Sequence, residues 1–510
     1  MPTPKIAVIG AGLGGLTTAA LLVKAGLDVT VLEAHVYPGG CAGTFYHKGF
    51  RFDTGATLAG GFAPGGPHAR LADMLELAWP ISPVNPAWVV HLPDKTITQW
   101  ADSDQWRAER QAKLPGTERF WQAQEKLAAI AWDVSSRPFP WPPQTFHEWR
   151  ALAQAIRPSL LPALPYLTRT AAGLAQNDTP DFRTFLNAQL LISAQTIAAN
   201  TNALYGSVAL DLPRRGVNHV HGGIGNLAHT LADWITANGG QVLYRQQVTG
   251  MEKRNGRITA VHTNKGLTIE ADKVVANLTP WGLAAILGDD APPHWRKQLD
   301  QTQPTWGAFT LYLGLDAARL PANLPTHHQV ITNPERPLGE GNSVFISLSD
   351  ASDTERAPAG MRTATLSTHT AVTPWHDLNQ HDRAAYEARR EQYAQRMLAA
   401  AEQANPGIRQ AVRLCLPGTP VTFQRFTKRP LGMVGGFAQE SLFRARGPAT
   451  GIPNLWLVGD SIFPGQSTAG VTLGGMRVAA AVLQTTASPQ PIKNRKGREE
   501  RKVFSFPSLR

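Results

Sequence analysis

The sequence predicts an α/β protein built on a Rossmann-like dinucleotide-binding unit, with more than one lobe. Three observations carry this. Ile6 to Ile9 is a short apolar run that reads as a buried strand, and Gly10-Ala11-Gly12-Leu13-Gly14-Gly15 hands it to a helical stretch from Leu16 to Ala25. A second strand, Asp28 to Leu32, then delivers Glu33 twenty-one residues after Gly12. Asn454 to Val458 reads as another buried strand near the far end, closing in Gly459-Asp460 before a small-residue helix from about Thr472 to Leu483. At 510 residues the chain also exceeds the size at which one hydrophobic core stops growing.

Each residue of the first unit has a physical task. Gly10 lets the chain turn tightly, Gly12 lets backbone approach a pyrophosphate, and Gly15 lets helix and strand pack closely, with Gly14 in the same turn. The helix start offers unsatisfied N–H groups and the positive end of its dipole to phosphate. Glu33 is placed to accept hydrogen bonds from a ribose. A bare glycine motif is weak evidence, whereas strand, turn, helix, strand and acid in register meet the full requirement.

Composition is consistent with a large enzyme. Hydrophobic residues make up 43% and charged residues 17%, ample for cores and apolar cavities. Cys41 and Cys415 stand alone, so neither a disulfide framework nor a zinc or iron–sulfur site is expected, and they fit a reducing cytoplasm. Lys5 followed by apolar residues is better explained by the nucleotide turn than by a signal peptide, given the glycines up to Gly15. No run approaches the ~20 apolar residues a membrane span needs. The net charge of +11 is uneven: between Lys493 and Arg510 seven basic residues face only Glu499 and Glu500. Such a composition reads as a solvated, disordered tail, with a tether to anionic lipid as the functional alternative. No recognised nucleic-acid fold accompanies the charge, so a nucleic-acid partner is not expected.

Further blocks extend the pattern. Pro38-Gly39-Gly40-Cys41-Ala42-Gly43 and Phe52-Asp53-Thr54-Gly55 follow the ribose acid with dense glycine, which brings backbone close to a ligand. Phe463 to Val471 precedes the late helix and aims a second helix N-terminus at something beyond a strand. In the middle, Gly222-Gly223-Ile224-Gly225 leads into a helix carrying Leu227 and Leu231. Gly239-Gly240-Gln241-Val242, Val248, the run Gly256 to Val261 and the strand Lys273 to Ala276 follow.

Together these blocks resemble the FAD-dependent phytoene desaturase and carotenoid isomerase family, within the wider amine-oxidase-like flavoproteins, from Lys5 to about Leu483. The resemblance implies FAD as cofactor and a discontinuous Rossmann-like FAD-binding domain with an interposed mixed α+β substrate domain. Gly10, Gly12, Gly14 and Gly15 fall in the ADP-binding turn, and Glu33 falls where the family's ribose carboxylate sits. Gly39 and Gly40 match the paired glycines beside the pyrophosphate, and Val248 matches the residue whose backbone touches adenine. Gly459 and Asp460 match the late turn that holds pyrophosphate and ribityl chain, while Gly470 and Val471 match the helix start beside the flavin's pyrimidine edge. Two departures bear on the substrate. Many desaturases carry arginine after the paired glycines, where this chain has Cys41, and Pro464-Gly465-Gln466 lies nearer the isomerase-like and cyanobacterial-type branch.

The expected organisation is FAD-binding segments at 1–75, 211–290 and 441–485, a cap segment at 76–210, a substrate domain at 291–440 and the basic tail at 486–510. Phe139 to Pro143 and Phe146 to Thr170, rich in aromatics, Leu, Arg and Pro, read either as a proline-broken cap or as a lid lying on a membrane. Trp306 to Leu315 reads as a strand of alternating Phe309, Leu311, Leu313 and Thr310, Tyr312, and Phe423 to Phe437 as cavity lining.

No charge relay or metal cluster stands out among the fifteen histidines. His219 and His221 read as structural, Asp350 and Asp353 as loop residues, and no catalytic or metal-ligating side chain is assigned. In the resembling family, allylic desaturation is carried by the flavin, the protein supplying orientation and a dry cavity. The resemblance is strongest to bacterial carotenoid 3,4-desaturases (the 3',4' type in some naming). It implies oxidation of an acyclic, 1-hydroxylated carotenoid end, with a quinone or dioxygen as final acceptor. The expected location is cytoplasmic and peripheral at the inner face of the cell membrane. A redox-neutral carotenoid cis–trans isomerase is the alternative. A third reading, a non-catalytic prenyl-lipid escort of the same architecture, is opposed by the intact turn with Glu33 and Asp460.

Overall fold

The computed structural model describes residues 3–135, 141–143, 146–155, 157–175, 179–300, 302 and 306–487. Phe139, Pro140 and the basic tail from 488 onward lie outside the described residues. The first apolar run forms β1 (Lys5–Ile9), followed by α1 (Leu13–Lys24) and β2 (Asp28–Leu32). They join β3 (Gln241–Leu243), β4 (Lys273–Ala276) and β5 (Leu455–Leu457) in one parallel sheet, in the order β3-β2-β1-β4-β5. Three distant parts of the chain therefore build one sheet, the discontinuous Rossmann-like arrangement expected. Continuous apolar strands suit it, because a parallel sheet is covered on both faces.

Register decides what this sheet presents. Ile9 lies opposite Leu32 and Ala276, and Ala276 opposite Leu457. Gly10, Glu33, Asn277 and Val458 consequently follow their strands at one common edge. In open α/β sheets that carboxyl edge is where ligands bind. Behind it, α1 is buried from Leu13 to Val23. It packs against α2 (Thr468–Ala487) and the helix Asn226–Ala237. Small residues set the spacing: a Cβ on Gly475 would lie 2.7 Å from the Gly14 carbonyl oxygen, and the Thr18 hydroxyl sits 2.9 Å from Gly14 O and 3.1 Å from Gly475 O. Both helices start earlier than the periodicity suggests, at Leu13 and Thr468. For α2 the reason is local, since Ser467 Oγ accepts from the Gly470 N–H at 3.0 Å and Ser467 O from the Val471 N–H at 3.0 Å.

The second lobe is built on a seven-stranded sheet. Its order is Val412–Gly418, Trp306–Asp316, Met361–Ala371, Ser343–Leu348, His327–Ile331, Trp88–His91 and Thr96–Gln99. Pairing is antiparallel except between His327–Ile331 and Trp88–His91. The alternation read in Trp306 to Leu315 suggests a half-solvated strand, yet Thr310 is fully buried and Tyr312 nearly so. The strand is central: helix Arg383–Ala404 covers one face around Phe309 and Leu311, while Phe45, Phe50 and Phe52 cover Tyr312 on the other. Tyr312 escapes the cost of an unmet hydroxyl by donating to Thr54 O at 2.6 Å.

The proline-rich stretch forms a helix, Phe146–Ala155, and a 3-10 segment, Pro158–Tyr166, that contains Pro162 and Pro165. Its surface is apolar to an unusual degree, with Phe146 85% exposed and Trp149, Leu161 and Leu164 each more than half exposed. Among the described residues no helix is long and apolar enough to cross a membrane.

Candidate cofactor site

The strand-edge residues form a backbone-lined crevice. Gly10 has φ +91° and donates its N–H to Leu32 O at 2.8 Å, closing the turn that only glycine takes without strain. A Cβ on Gly15 would stand 2.4 Å from Gly10 O, and one on Gly12 would stand 2.4 Å from Asn277 Nδ2. Gly12 is also the residue before α1. No side chain caps that helix and no acidic residue occupies its first turn, so its N–H groups are left for an outside acceptor. A diphosphate is the group such an end accommodates.

The other sequence-derived positions converge on this turn. Gly39, at φ +114°, donates its N–H to Ala11 O at 2.8 Å and bridges to Gly12. Gly40 follows at φ +58° with open space where a Cβ would be. Gly14 faces Gly459, whose nitrogen would lie 3.3 Å from an added Cβ. Gly470 and Val471 sit in the first turn of α2, about one and a half turns before the Gly475 contact with Gly14.

Glu33 is held by backbone. Oε2 accepts from the Ala11 N–H and Oε1 from the His35 N–H, both at 2.7 Å. Burial pushes its pKa up, opposed by those same bonds. Val248 is buried, and Gln246, two residues earlier, donates its N–H to the Glu33 backbone carbonyl at 2.8 Å. Asp460 does not stand free. Arg429 donates to its carboxylate from Nη1 and Nη2, with Nη2 3.0 Å from Oδ2. The donor set, glycine edge and carboxylate fit a dinucleotide.

Two groups escape a reading of the linear chain. Asn277 follows β4, where its Nδ2 lies 3.4 Å from Gly10 O and its Oδ1 would be 2.8 Å from a Cβ on Gly459. The signal that finds it is register, since it follows Ala276 as Gly10 follows Ile9. The second group sits behind the 459–466 turn. The Gln195 amide bonds the His369 ring at 3.3 Å, and Trp306 Nε1 donates to Gln195 O at 3.2 Å. A Cβ on Gly435 would come within 2.5 Å of both the Gln195 and Gln466 amides. Burial pushes the His369 pKa down to about 4, so the ring is neutral at pH 7. Gln195 Oε1 is buried and meets no hydrogen-bond donor among the described residues. No local spacing announces four residues brought in from positions 195, 306, 369 and 466.

Two further blocks read from the sequence are placed as follows. The Phe52-Asp53-Thr54 block runs beside the middle glycines: Asp53 Oδ1 accepts from Thr44 Oγ1 at 2.7 Å and the Ile224 N–H at 2.9 Å, and Oδ2 pairs with Arg356 at 3.1 Å. His219, His221 and Asp353, far apart in the chain, come together with their ligand-type atoms within 4.8 Å. The Asp353 oxygens are already engaged by His219 Nε2 and the Gly222 and Glu355 N–H groups, which makes this a structural His–Asp tie.

Comparison with known proteins adds to this geometry. The model of the flavin-containing amine oxidoreductase family matches residues 13–483. Prolycopene isomerase from Daucus carota is 27% identical over 507 residues, covering 94% of this chain and 81% of the relative. A neurosporene-forming phytoene desaturase from Rhodobacter capsulatus is 24% identical, covering 95% of each chain. Among solved structures, an oxidoreductase from Methanosarcina mazei superposes with TM-score 0.63 at 19% identity, over 93% of this chain and all of that one. Putrescine oxidase superposes with TM-score 0.62 at 16% identity, over 95% and 99%.

Proposed function

Because the chain belongs to the flavin-containing amine oxidoreductase family and is an FAD-dependent oxidoreductase, we propose that it acts on a carotenoid polyene. The specific reaction we propose is introduction of a C-3,4 double bond at an acyclic, 1-hydroxylated end, with a quinone or dioxygen as final acceptor. Near full-length similarity to prolycopene isomerases and phytoene desaturases supports the substrate class. Gln195 carries the choice of end group. Its buried, unpaired Oε1 beside neutral His369 is costly against a hydrocarbon and is satisfied by a hydroxyl donor.

In this reading Gly10, Gly12, Gly14, Gly15, Gly39 and Gly40 line the diphosphate, and Glu33 takes the ribose hydroxyls. Val248 lies by the adenine, while Gly459, Asp460, Gly470 and Val471 lie along the ribityl and flavin end. FAD, when bound, supplies a two-electron oxidant. The protein holds the polyene end, excludes water and keeps the His369 imidazole neutral. Incubation with a 1-hydroxylated acyclic carotenoid should yield a product lighter by two hydrogens and red-shifted. Unchanged mass with a cis-to-trans spectral shift would sink the desaturase reading and establish the isomerase, which the 27% identity to prolycopene isomerase supports.

The exposed Phe146, Trp149, Leu161 and Leu164, with exposed Arg150 and Arg157, suit peripheral contact with an anionic membrane face, and so a cytoplasmic location at the inner membrane surface. Phe146→Ser with Trp149→Ser should abolish co-sedimentation with phosphatidylglycerol vesicles. Equal binding by the variant would rule this surface out.

A further inference from the structure

Arg429 belongs to neither nucleotide-binding strand set. It follows the helix Pro420–Thr427 in the segment leaving the second lobe, yet its guanidinium reaches the crevice. Nε donates to Met433 O at 2.7 Å, and Nη1 and Nη2 each donate to Asp460 Oδ1 at 3.2 Å. The side chains of Arg429 and Asp460 are each 17% exposed, so the fork is held in one orientation. Its charge is also felt at the Cys41 thiol: burial pushes that thiol's pKa up and Arg429 opposes the rise. One guanidinium thus binds the residue after Gly459 and acts electrostatically on the residue after Gly39-Gly40. Those glycines are the ones that close on the Gly12–Gly14 turn.

Charge and donor count give this placement a purpose. A diphosphate brings two negative charges to the turn, where Cys41 contributes no cation and α1 offers N–H groups only. A guanidinium has five N–H donors in a planar fork. Three are engaged by Met433 and Asp460, which leaves two for phosphate oxygens, the ligand geometry that arginine matches best. Asp460 then acts as the brace that aims the fork.

We propose that Arg429 is a diphosphate-binding residue of the FAD site, supplied from the second lobe and positioned by Asp460. This rests on the reading that the diphosphate lies between the Gly10–Gly15 turn and Gly39-Gly40, and the test separates the two. Full-length protein stripped of flavin is titrated with FAD and with riboflavin, which lacks phosphate, following flavin fluorescence. Arg429→Met should weaken FAD binding roughly 10- to 150-fold, the range of a lost charge-assisted hydrogen bond, and leave riboflavin binding within about twofold. It should also flatten the salt dependence of FAD binding. Cys41→Arg in the Arg429→Met background should restore part of the FAD affinity, because it returns a cation to the same neighbourhood. Arg429→Gln, able to keep a bond to Asp460 without the charge, gives the same comparison if the methionine variant does not fold. Unchanged FAD affinity, or equal loss for FAD and riboflavin, overturns the assignment. Gly12→Ala is the control for the crevice. If it abolishes FAD binding while the Arg429 variants do not, only the arginine assignment fails; if neither matters, the diphosphate lies elsewhere.

Discussion

The two ends of the cofactor crevice are made of different material. At the Gly10–Gly15 end the surface is backbone, kept clear because Cβ atoms at Gly12 and Gly15 would stand 2.4 Å from Asn277 Nδ2 and Gly10 O. Behind the 459–466 turn the surface is side chain: Gln195, His369, Trp306 and Gln466, three of them joined by hydrogen bonds and one acceptor left unpaired. The first end can hold any dinucleotide of the right shape, because N–H groups and a carboxylate read phosphate and ribose. The second is the end that we propose discriminates, because an unpaired buried acceptor favours one ligand chemistry over another.

Breaking the backbone end should have the largest effect. Gly15→Ala drives a methyl into a backbone carbonyl that cannot move away, so about 3 kcal/mol of stability should be lost, together with FAD retention. Urea unfolding and flavin absorbance of the purified variant measure both. A fully yellow protein of wild-type stability would show that this end tolerates side chains after all. Asn277→Ala tests the same end more gently. It removes the side chain that spaces Gly10, Gly12 and Gly459, and should cost about 1 kcal/mol, with FAD bound more weakly. If Kd for FAD is unchanged, Asn277 is only a strand terminus.

The side-chain end should respond in specificity more than in stability. Gln195→Leu should leave unfolding within about 1 kcal/mol, since the bond to His369 is lost along with an unsatisfied oxygen. Turnover of a hydroxylated carotenoid should fall roughly 10- to 100-fold relative to the non-hydroxylated analogue, the worth of one hydrogen bond to substrate. Parallel loss on both substrates would remove Gln195 from end-group selection.

The smallest effect is a pH dependence of opposite sign at the two ends. His369 has its pKa pushed down to about 4 from an ordinary 6.5, so the unfolded chain binds the proton first. Its contribution to stability is present above pH 6.5 and is lost as pH falls from 6.5 towards 4. Buried His68, His327 and His328, each near 3, act in the same direction. Glu33, with its pKa raised, works against them and gains stability on acidification. Thermal melts between pH 7 and pH 4 should show falling Tm, with a shallower fall in His369→Gln. A steeper fall in that variant would reverse the sign assigned to the imidazole.

How much of this was legible follows from where each constraint acts. The strand limits Asp28 to Leu32 and Lys273 to Ala276 follow from apolar runs bounded by glycine and polar residues. Helix starts were less visible, because Leu13 and Thr468 enter their helices through glycine and serine geometry that hydrophobic spacing does not report. The burial of Tyr312 was hidden for another reason: a polar residue in a strand looks solvent-facing until a second layer, here Phe45, Phe50 and Phe52, covers it. Asp353 looked like a loop residue and is one, yet its carboxylate ties to His219 across 134 positions.

The sequence by itself determined the parallel dinucleotide-binding sheet, the Gly10–Gly15 turn and the acid at Glu33. Each leaves a pattern in the linear chain: apolar strand runs, glycines where backbone must turn or approach closely, and an acid at the end of the second strand. Only the tertiary structure decided that Arg429 meets Asp460, that Asn277 spaces the glycine edge, and that Gln195 faces His369 with an oxygen unpaired. Those contacts join residues from 31 to 267 positions apart, counting Arg429 to Asp460 and Asn277 to Gly10. No local propensity encodes them; they exist because two lobes pack against one sheet edge and bring the residues to it.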